Sequence, residues 1–339
     1  MRLLVAVIFS FLLMSCGETP DTKKQRFLLK GNEKLNEREY REAIRYYDEA
    51  ILIDPQYADA LNNRGVAYSR LGQDAQAVAD FTNATMAEPD RMDVLYNRAL
   101  SSIQIKEYYS ALADLEVIKK VYPDTPTVHF TEGLAQWQLK QYPLAIAAFD
   151  IAESQDPYNA EIFINRATLF YYLGDFEKAQ IDLNKGLVLN PNEANAYNVK
   201  GLIAEKQGNI DSAFYWVNKA LDLAPNQPYY LNNRGYYHIV QENWEAAEKD
   251  INLSIRGDSE NPWAYRNKGI LYYYEGRYNE ALRNLQVSQQ MDPEMEELAN
   301  YIGLVLWRLD RQTEACDTWR EGAAKGDQKA AIALATNCN

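Results

Sequence analysis

The sequence predicts an all-α solenoid: nine 34-residue helix-turn-helix repeats stacked in series and closed by a C-terminal capping helix. Three observations carry this reading. Alanine returns every 34 residues, at Ala43, Ala77, Ala111, Ala145, Ala179, Ala213, Ala247, Ala281 and Ala315. Twelve residues before each stands a small residue: Gly31, Gly65, Ala99, Gly133, Ala167, Gly201, Gly235, Gly269 and Gly303. Twelve residues after it stands proline in seven of the nine copies: Pro55, Pro89, Pro123, Pro157, Pro191, Pro225 and Pro293. A strict period in this range marks stacked copies of one unit that cannot bury its apolar face alone.

Each element within the period follows from residue chemistry. The small residue lies on helix A and the alanine on helix B, where two helices cross too closely for larger side chains. An aromatic residue precedes the alanine by three in most copies (Tyr40, Tyr108, Tyr142, Phe176, Trp244, Tyr278). Between the two small positions, Gly72, Gly174, Gly208 and Gly276 mark a left-handed C-cap that ends helix A. The proline is read as starting the next unit.

The pattern resembles the tetratricopeptide repeat (TPR) family. The stretch LNNRGVAYSRLGQDAQAVADFTNATMAEPD, Leu61 to Asp90, carries its small, aromatic and proline positions in register. The resemblance covers residues 25–324 and implies a right-handed superhelix. It also implies a docking surface for proteins or peptides and leaves the partner open.

The N-terminal end reads differently. Arg2 is followed by an unbroken apolar run from Leu3 to Met14. That run is too short for a membrane span, which needs about 20 residues, and it fits a secretory signal peptide over residues 1–15. Leu13-Met14-Ser15-Cys16 resembles the bacterial lipobox, so Cys16 is expected to be cleaved before and lipidated. The alternative is an ordinary signal peptide with an incidental cysteine. Gly17 after Cys16 implies sorting to the outer membrane, and residues 16–24 are expected to form the lipidated tether. Acyl chains on one cysteine suffice for stable anchoring.

Net charge is −13, and loss of residues 1–15 would remove one positive charge and no acid. A basic stripe for nucleic acid is therefore not expected, nor is electrostatic adhesion to anionic lipid. The balance favours partners with basic or neutral contact surfaces.

Two cysteines remain beyond the lipobox. Cys316 lies on helix B of the ninth repeat, and Cys338 ends the capping helix of residues 325–339. Folded as a hairpin, they come to similar heights on adjacent helices. Export favours oxidation, so a disulfide is predicted; two free buried thiols are the alternative. His129 and His238 stand on different repeats, with no cluster of metal-ligand spacing, phosphate loop or nucleophile elbow near them. The sequence predicts no enzyme, metal or cofactor.

Comparison among the nine copies picks out two rows. Arg64, Arg98, Arg166 and Arg234 precede the small residue, and in those copies alone aspartate follows sixteen residues later, at Asp80, Asp114, Asp182 and Asp250. The spacing predicts ion pairs between helices A and B of one hairpin. One residue before the arginines stands asparagine (Asn63, Asn97, Asn165, Asn233), with Asn267 in the eighth copy. This row resembles the asparagine ladder in the superhelix of O-linked N-acetylglucosamine transferase. The resemblance implies carboxamides that grip an extended peptide, each offering donor and acceptor. Local packing is the alternative. Leu29, Thr131, Val199 and Tyr301 interrupt the row.

Other groove-facing positions of helix A carry rings: Tyr96, Phe130, Trp137, Tyr171, Tyr172, Tyr229, Tyr236, Trp263, Tyr273 and Tyr274. Rings of this kind anchor binding hot spots, and some must also serve as core. The expectation is a lipid-anchored scaffold that holds protein or peptide partners in its groove at a bacterial envelope. A glycan-binding envelope lipoprotein that stacks sugars on these rings is the alternative.

Overall fold

The computed structural model of the chain describes residues 18–338. The predicted signal peptide, Cys16 and Gly17 lie outside the described residues. Within them the chain is all-helical, with nineteen helices and no strand. It divides into two compact units after Pro157.

The first unit holds four hairpins. Helix α1 (Pro20–Asn36) pairs with α2 (Tyr40–Ile53), and α3 (Ala58–Arg70) with α4 (Asp74–Ala87). Then α5 (Met92–Gln104) pairs with α6 (Tyr108–Val121), and α7 (Pro126–Gln138) with α8 (Tyr142–Gln155). The second unit holds five hairpins: α9 (Ala160–Tyr172) with α10 (Phe176–Leu189), α11 (Ala194–Lys206) with α12 (Ile210–Leu223), and α13 (Pro228–Val240) with α14 (Trp244–Gly257). Helix α15 (Pro262–Tyr274) with α16 (Tyr278–Met291) and α17 (Leu298–Arg308) with α18 (Gln312–Ala324) complete the set, and α19 (Gln328–Asn337) packs on the last pair.

A close approach inside every hairpin sets the period. Sixteen residues after each small position stands a large apolar side chain: Tyr47, Phe81, Leu115, Phe149, Leu183, Val217, Ile251, Leu285 or Trp319, each fully buried. A methyl group on Gly65 would sit 2.7 Å from the Phe81 ring, and one on Gly269 would sit 2.6 Å from the Leu285 side chain. Where alanine replaces glycine, at Ala99 and Ala167, the opposing residue is the smaller Leu115 or Leu183. The bulkiest partners, Tyr47, Phe81, Phe149 and Trp319, all face glycine, as close packing requires.

The turn between helices A and B is the same in all nine copies. The residue five before each alanine has positive φ, and Gly72, Gly174, Gly208 and Gly276 take this position. Arg38, Lys106, Lys140, Glu242 and Asp310 adopt it too, at φ of 58–64°. The next N–H reaches back to the helix, as in Gln73 N to Tyr68 O at 2.9 Å, which satisfies carbonyls the helix end leaves open.

Two boundaries differ from the sequence expectation. Helix α1 starts at Pro20, inside the predicted tether, because Thr19 Oγ1 accepts from the Thr22 N–H and Pro20 and Asp21 favour the first turn. The repeat proline does not open helix A; Pro55, for example, lies in the turn that follows helix B, and α3 begins at Ala58. There Asp54 accepts from the Gln56 N–H, an Asx turn repeated by Asn190, Asp258 and Asp292.

The arginine–aspartate row forms forked pairs between the two helices of four hairpins. Nε and Nη2 of Arg64 reach Asp80 at 2.8 and 2.6 Å, and those of Arg98 reach Asp114 at 2.8 and 2.7 Å. Arg166 reaches Asp182 at 2.7 and 3.0 Å, and Arg234 reaches Asp250 at 2.6 and 3.0 Å. The aspartates are buried, and so is Arg166. Cys316 and Cys338 form a disulfide with Cα atoms 5.8 Å apart, which ties α19 to α18.

The buried Arg166–Asp182 pair yields a test. Arg166→Ala strands a buried carboxylate and should cost about 3 kcal/mol or more in chemical denaturation. The Arg166→Ala/Asp182→Ala variant should lose clearly less than the two single losses combined; additive losses would dismiss the coupling.

Candidate functional site

The asparagines form a relay between repeats. In the second unit Asn267 Nδ2 donates to Asn232 Oδ1 (2.9 Å), Asn232 to Asn233 (3.4 Å), and Asn233 to Asn198 (2.8 Å). In the first unit Asn97 donates to Asn62 (3.1 Å), Asn62 to Asn63 (3.1 Å), and Asn63 to Asn32 (2.8 Å), which also accepts from the Tyr47 hydroxyl. Carboxamides expected to grip a peptide thus bond to each other across repeat boundaries, and Asn233 and Asn267, with Asn198 and Asn232, also line the cavity of the second unit. Asn165 stands apart and donates to the Glu161 carbonyl of its own helix. Its counterpart 35 residues earlier is Phe130, which offers no acceptor. The signal for the relay was the second asparagine column, Asn62, Asn198 and Asn232, one residue before the first.

The rings divide into two groups. In the second unit Tyr171, Tyr172, Tyr229, Tyr236 and Trp263 line one cavity of about 810 Å³. Tyr172 is 65% exposed, Tyr229 47% and Trp263 36%, enough to offer ring faces to a ligand. Tyr273 and Tyr274 are not in its wall; they pack on Tyr278 and Trp244, with the Trp244–Tyr274 pair stacked at 6.0 Å. Tyr96, Phe130 and Trp137 belong to the first unit and are half-buried. The Tyr96 hydroxyl meets Thr131 Oγ1 at 3.1 Å, and Phe130 packs on Phe149 at 5.8 Å. Phe130 thus packs within its own hairpin, and Tyr96 reaches the next one.

The cavity lies along the first helices of successive hairpins, α9, α11, α13 and α15, with the segment before α17 and Lys329 of α19 completing its wall. Sequence reasoning missed its charged groups. Arg266 is 7% exposed and lies over the rings of Tyr236, Trp263 and Tyr301 at 5.5–6.0 Å. It donates to Asn267 Oδ1 at 3.1 Å and to Glu297 Oε2 at 3.3 Å. Glu297 also meets Lys329 at 2.7 Å, while Lys206 reaches Glu296 at 3.3 Å. Glu297 has a φ of 60°; among the described residues it is the non-glycine residue in this conformation outside the turns between helices A and B. The available signal was Arg266 itself, which replaces asparagine in the column of Asn62, Asn198, Asn232 and Asn300.

Glu205 of α11 completes the cavity. Burial raises the pKa of its carboxyl, Lys206 draws it down, and Glu297 pushes it up. Its charge in turn adds to the burial that raises the phenols of Tyr171, Tyr236 and Tyr237. The histidines are structural. His129 Nε2 bonds the Pro123 carbonyl at 2.9 Å, and His238 packs on Phe214 at 4.8 Å. Among the described residues no group of His, Cys, Asp or Glu is arranged to hold a metal, and no helix is long and apolar enough to cross a membrane.

One tetratricopeptide repeat model matches residues 106–160, 164–228 and 266–331, together more than half of the chain. The chain belongs to the tetratricopeptide repeat family. Two further TPR models match residues 31–72 and 58–91. No curated protein matches the sequence. Among solved structures, the TPR chain resembles that of the APC/C hetero-tetramer Cut9–Hcn1, with a TM-score of 0.67 and 15% identity over 95% of this chain and 78% of that one. PilF of Pseudomonas aeruginosa gives 0.52 and 19% identity over 62% of this chain and 96% of that one. MamA of Desulfovibrio magneticus RS-1 gives 0.48 and 22% identity over 50% and 97%. At the identities of the first two the likeness is one of fold.

The raised Glu205 carboxyl predicts a signed pH dependence. The folded TPR chain holds this proton more tightly than the unfolded one, so the group lowers stability as pH climbs above its ordinary titration range. In urea melts Glu205→Gln should match the parent at pH below that range and exceed it near neutrality. A variant that loses stability relative to the parent as pH rises would contradict the assignment.

Proposed function

We propose that this TPR protein is a non-catalytic scaffold that holds a protein or peptide partner in the ring-lined cavity of residues 158–339, at a bacterial envelope membrane. Family membership supports the role of an interaction scaffold. The observation that carries the site is the set of exposed rings, Tyr172, Tyr229 and Trp263, around one large cavity. Tyrosine and tryptophan bury much area at little rotamer cost and accept polar neighbours, which suits them to anchor a partner. The volume lies in the range of ligand-binding clefts.

The envelope part of the proposal rests on the N-terminal sequence. A lipid on Cys16 would tether the repeats to the membrane, and Gly17 favours the outer membrane. The net charge of −13 argues against nucleic acid as a partner. Glycan binding on the same rings is the competing outcome.

Two experiments test these parts separately. Cys16→Ser should move the folded protein from the membrane to the soluble fraction; a variant that stays membrane-bound after a high-salt wash would remove the anchor. For the cavity, partners captured by crosslinking in envelope preparations should bind Tyr172→Ala/Trp263→Ala at least tenfold more weakly, about 1.4 kcal/mol. Both side chains are exposed, so the melting curve should barely move. Unchanged capture would discard the cavity as the docking site, and oligosaccharide binding abolished by the same pair would favour the glycan.

A further inference from the structure

Of the three acids that line the cavity, two are already neutralised. Glu296 is met by Lys206 at 3.3 Å, and Glu297 by Arg266 at 3.3 Å and Lys329 at 2.7 Å. Glu205 is different. Among the described residues its carboxylate accepts no hydrogen bond and has no cation within ion-pair distance, although it is half-buried. Its oxygens stay accessible from the cavity, so a half-buried carboxylate without a partner stands where a ligand can supply one.

A second observation lies in the same wall. Tyr237, 1% exposed, carries a hydroxyl with no hydrogen-bond partner. Buried hydroxyls are bonded in nearly all native interiors, so this one marks a polar contact still to be made. Around these two groups stand the rings of Tyr171, Tyr172, Tyr236 and Trp263 from α9, α13 and α15.

We propose that this cavity receives a lysine or arginine side chain of the protein partner, with Glu205 as its counter-ion and the surrounding rings as its walls. The inference rests on the docking site proposed above and specifies its occupant. An ammonium or guanidinium brings several donors and no acceptor, which matches an accessible carboxylate and an unpaired buried hydroxyl. The faces of tyrosine and tryptophan carry negative potential and attract a cation, more strongly where water is displaced. The long aliphatic stem of either residue suits the apolar wall. A cavity of about 810 Å³ has room for such a side chain and its flanking backbone. The acidic balance of the whole chain, −13, would draw a basic segment toward it.

The test is a selection of random linear peptides on the full chain. Enriched peptides should share a lysine or arginine at one fixed position. Their affinity should fall at least tenfold on Glu205→Gln, about 1.4 kcal/mol, and on Tyr172→Ala/Trp263→Ala. Changing the fixed basic residue to glutamine should cost affinity on the parent and little on Glu205→Gln, because one contact is being removed twice. Peptides that need the rings, yet carry no fixed basic residue or bind Glu205→Gln unchanged, would overturn the cation pocket and leave the docking site standing. No enrichment, or enrichment indifferent to the rings, would overturn both. A Glu205→Gln melt at or above the parent's separates loss of binding from loss of fold.

Discussion

The approach of helix A to helix B at the small residue governs the rest of the molecule. Gly65 leaves room for Phe81, Gly133 for Phe149 and Gly303 for Trp319, and a single methyl group at any of them would enter the opposing side chain. Because that contact is buried in every copy, each hairpin brings its two helices together at the same place. The residues beside it inherit the same precision. Arg166 precedes Ala167 and Asp182 precedes Leu183, so the ion pair sits one residue from the close contact on both helices. Such pairs add little net stability when desolvation is counted, and their role here is better described as fixing which carboxylate meets which guanidinium.

Stacking then places the asparagines. A column of paired carboxamides on adjacent first helices is brought within 2.8–3.1 Å across each repeat boundary it spans, from Asn97 to Asn62 and from Asn267 to Asn232. An amide can give and accept at once, so inner members such as Asn62, Asn63, Asn232 and Asn233 are bonded at both ends. In a solenoid, stability is a sum of repeat and neighbour-interface terms. The disulfide between α18 and α19 ties the capping helix to the ninth repeat.

Much of this was legible in the sequence, because the fold is one period written nine times. The four glycine C-caps were visible, but five equivalent turns were not: Arg38, Lys106, Lys140, Glu242 and Asp310 take the left-handed conformation at a cost of roughly 1–2 kcal/mol each. The packing of the hairpin outweighs that cost, and no composition rule announces it. Residues 20–24 looked like a tether because they are polar, although Thr19, Pro20 and Asp21 form a sound helix start. The cavity was the least legible part. Glu205, Arg266, Glu297 and Lys329 come from four different elements, and periodicity is blind to residues that depart from the repeat. Arg266 in an asparagine column was the one sign available. The asparagines were visible as a row, yet only coordinates show that they bond to one another and that Asn233 and Asn267 also line the cavity.

Photocrosslinking in intact cells tests the central claim, that the ring-lined face of residues 158–339 is where the TPR protein meets its partner. A benzophenone amino acid at position 172 or 229, in the cavity wall, should give a discrete covalent adduct with a protein. The same group in place of Val188, which is 83% exposed on α10 and outside the cavity, should give none. Adducts from position 188 alone, or from no position, would contradict the account.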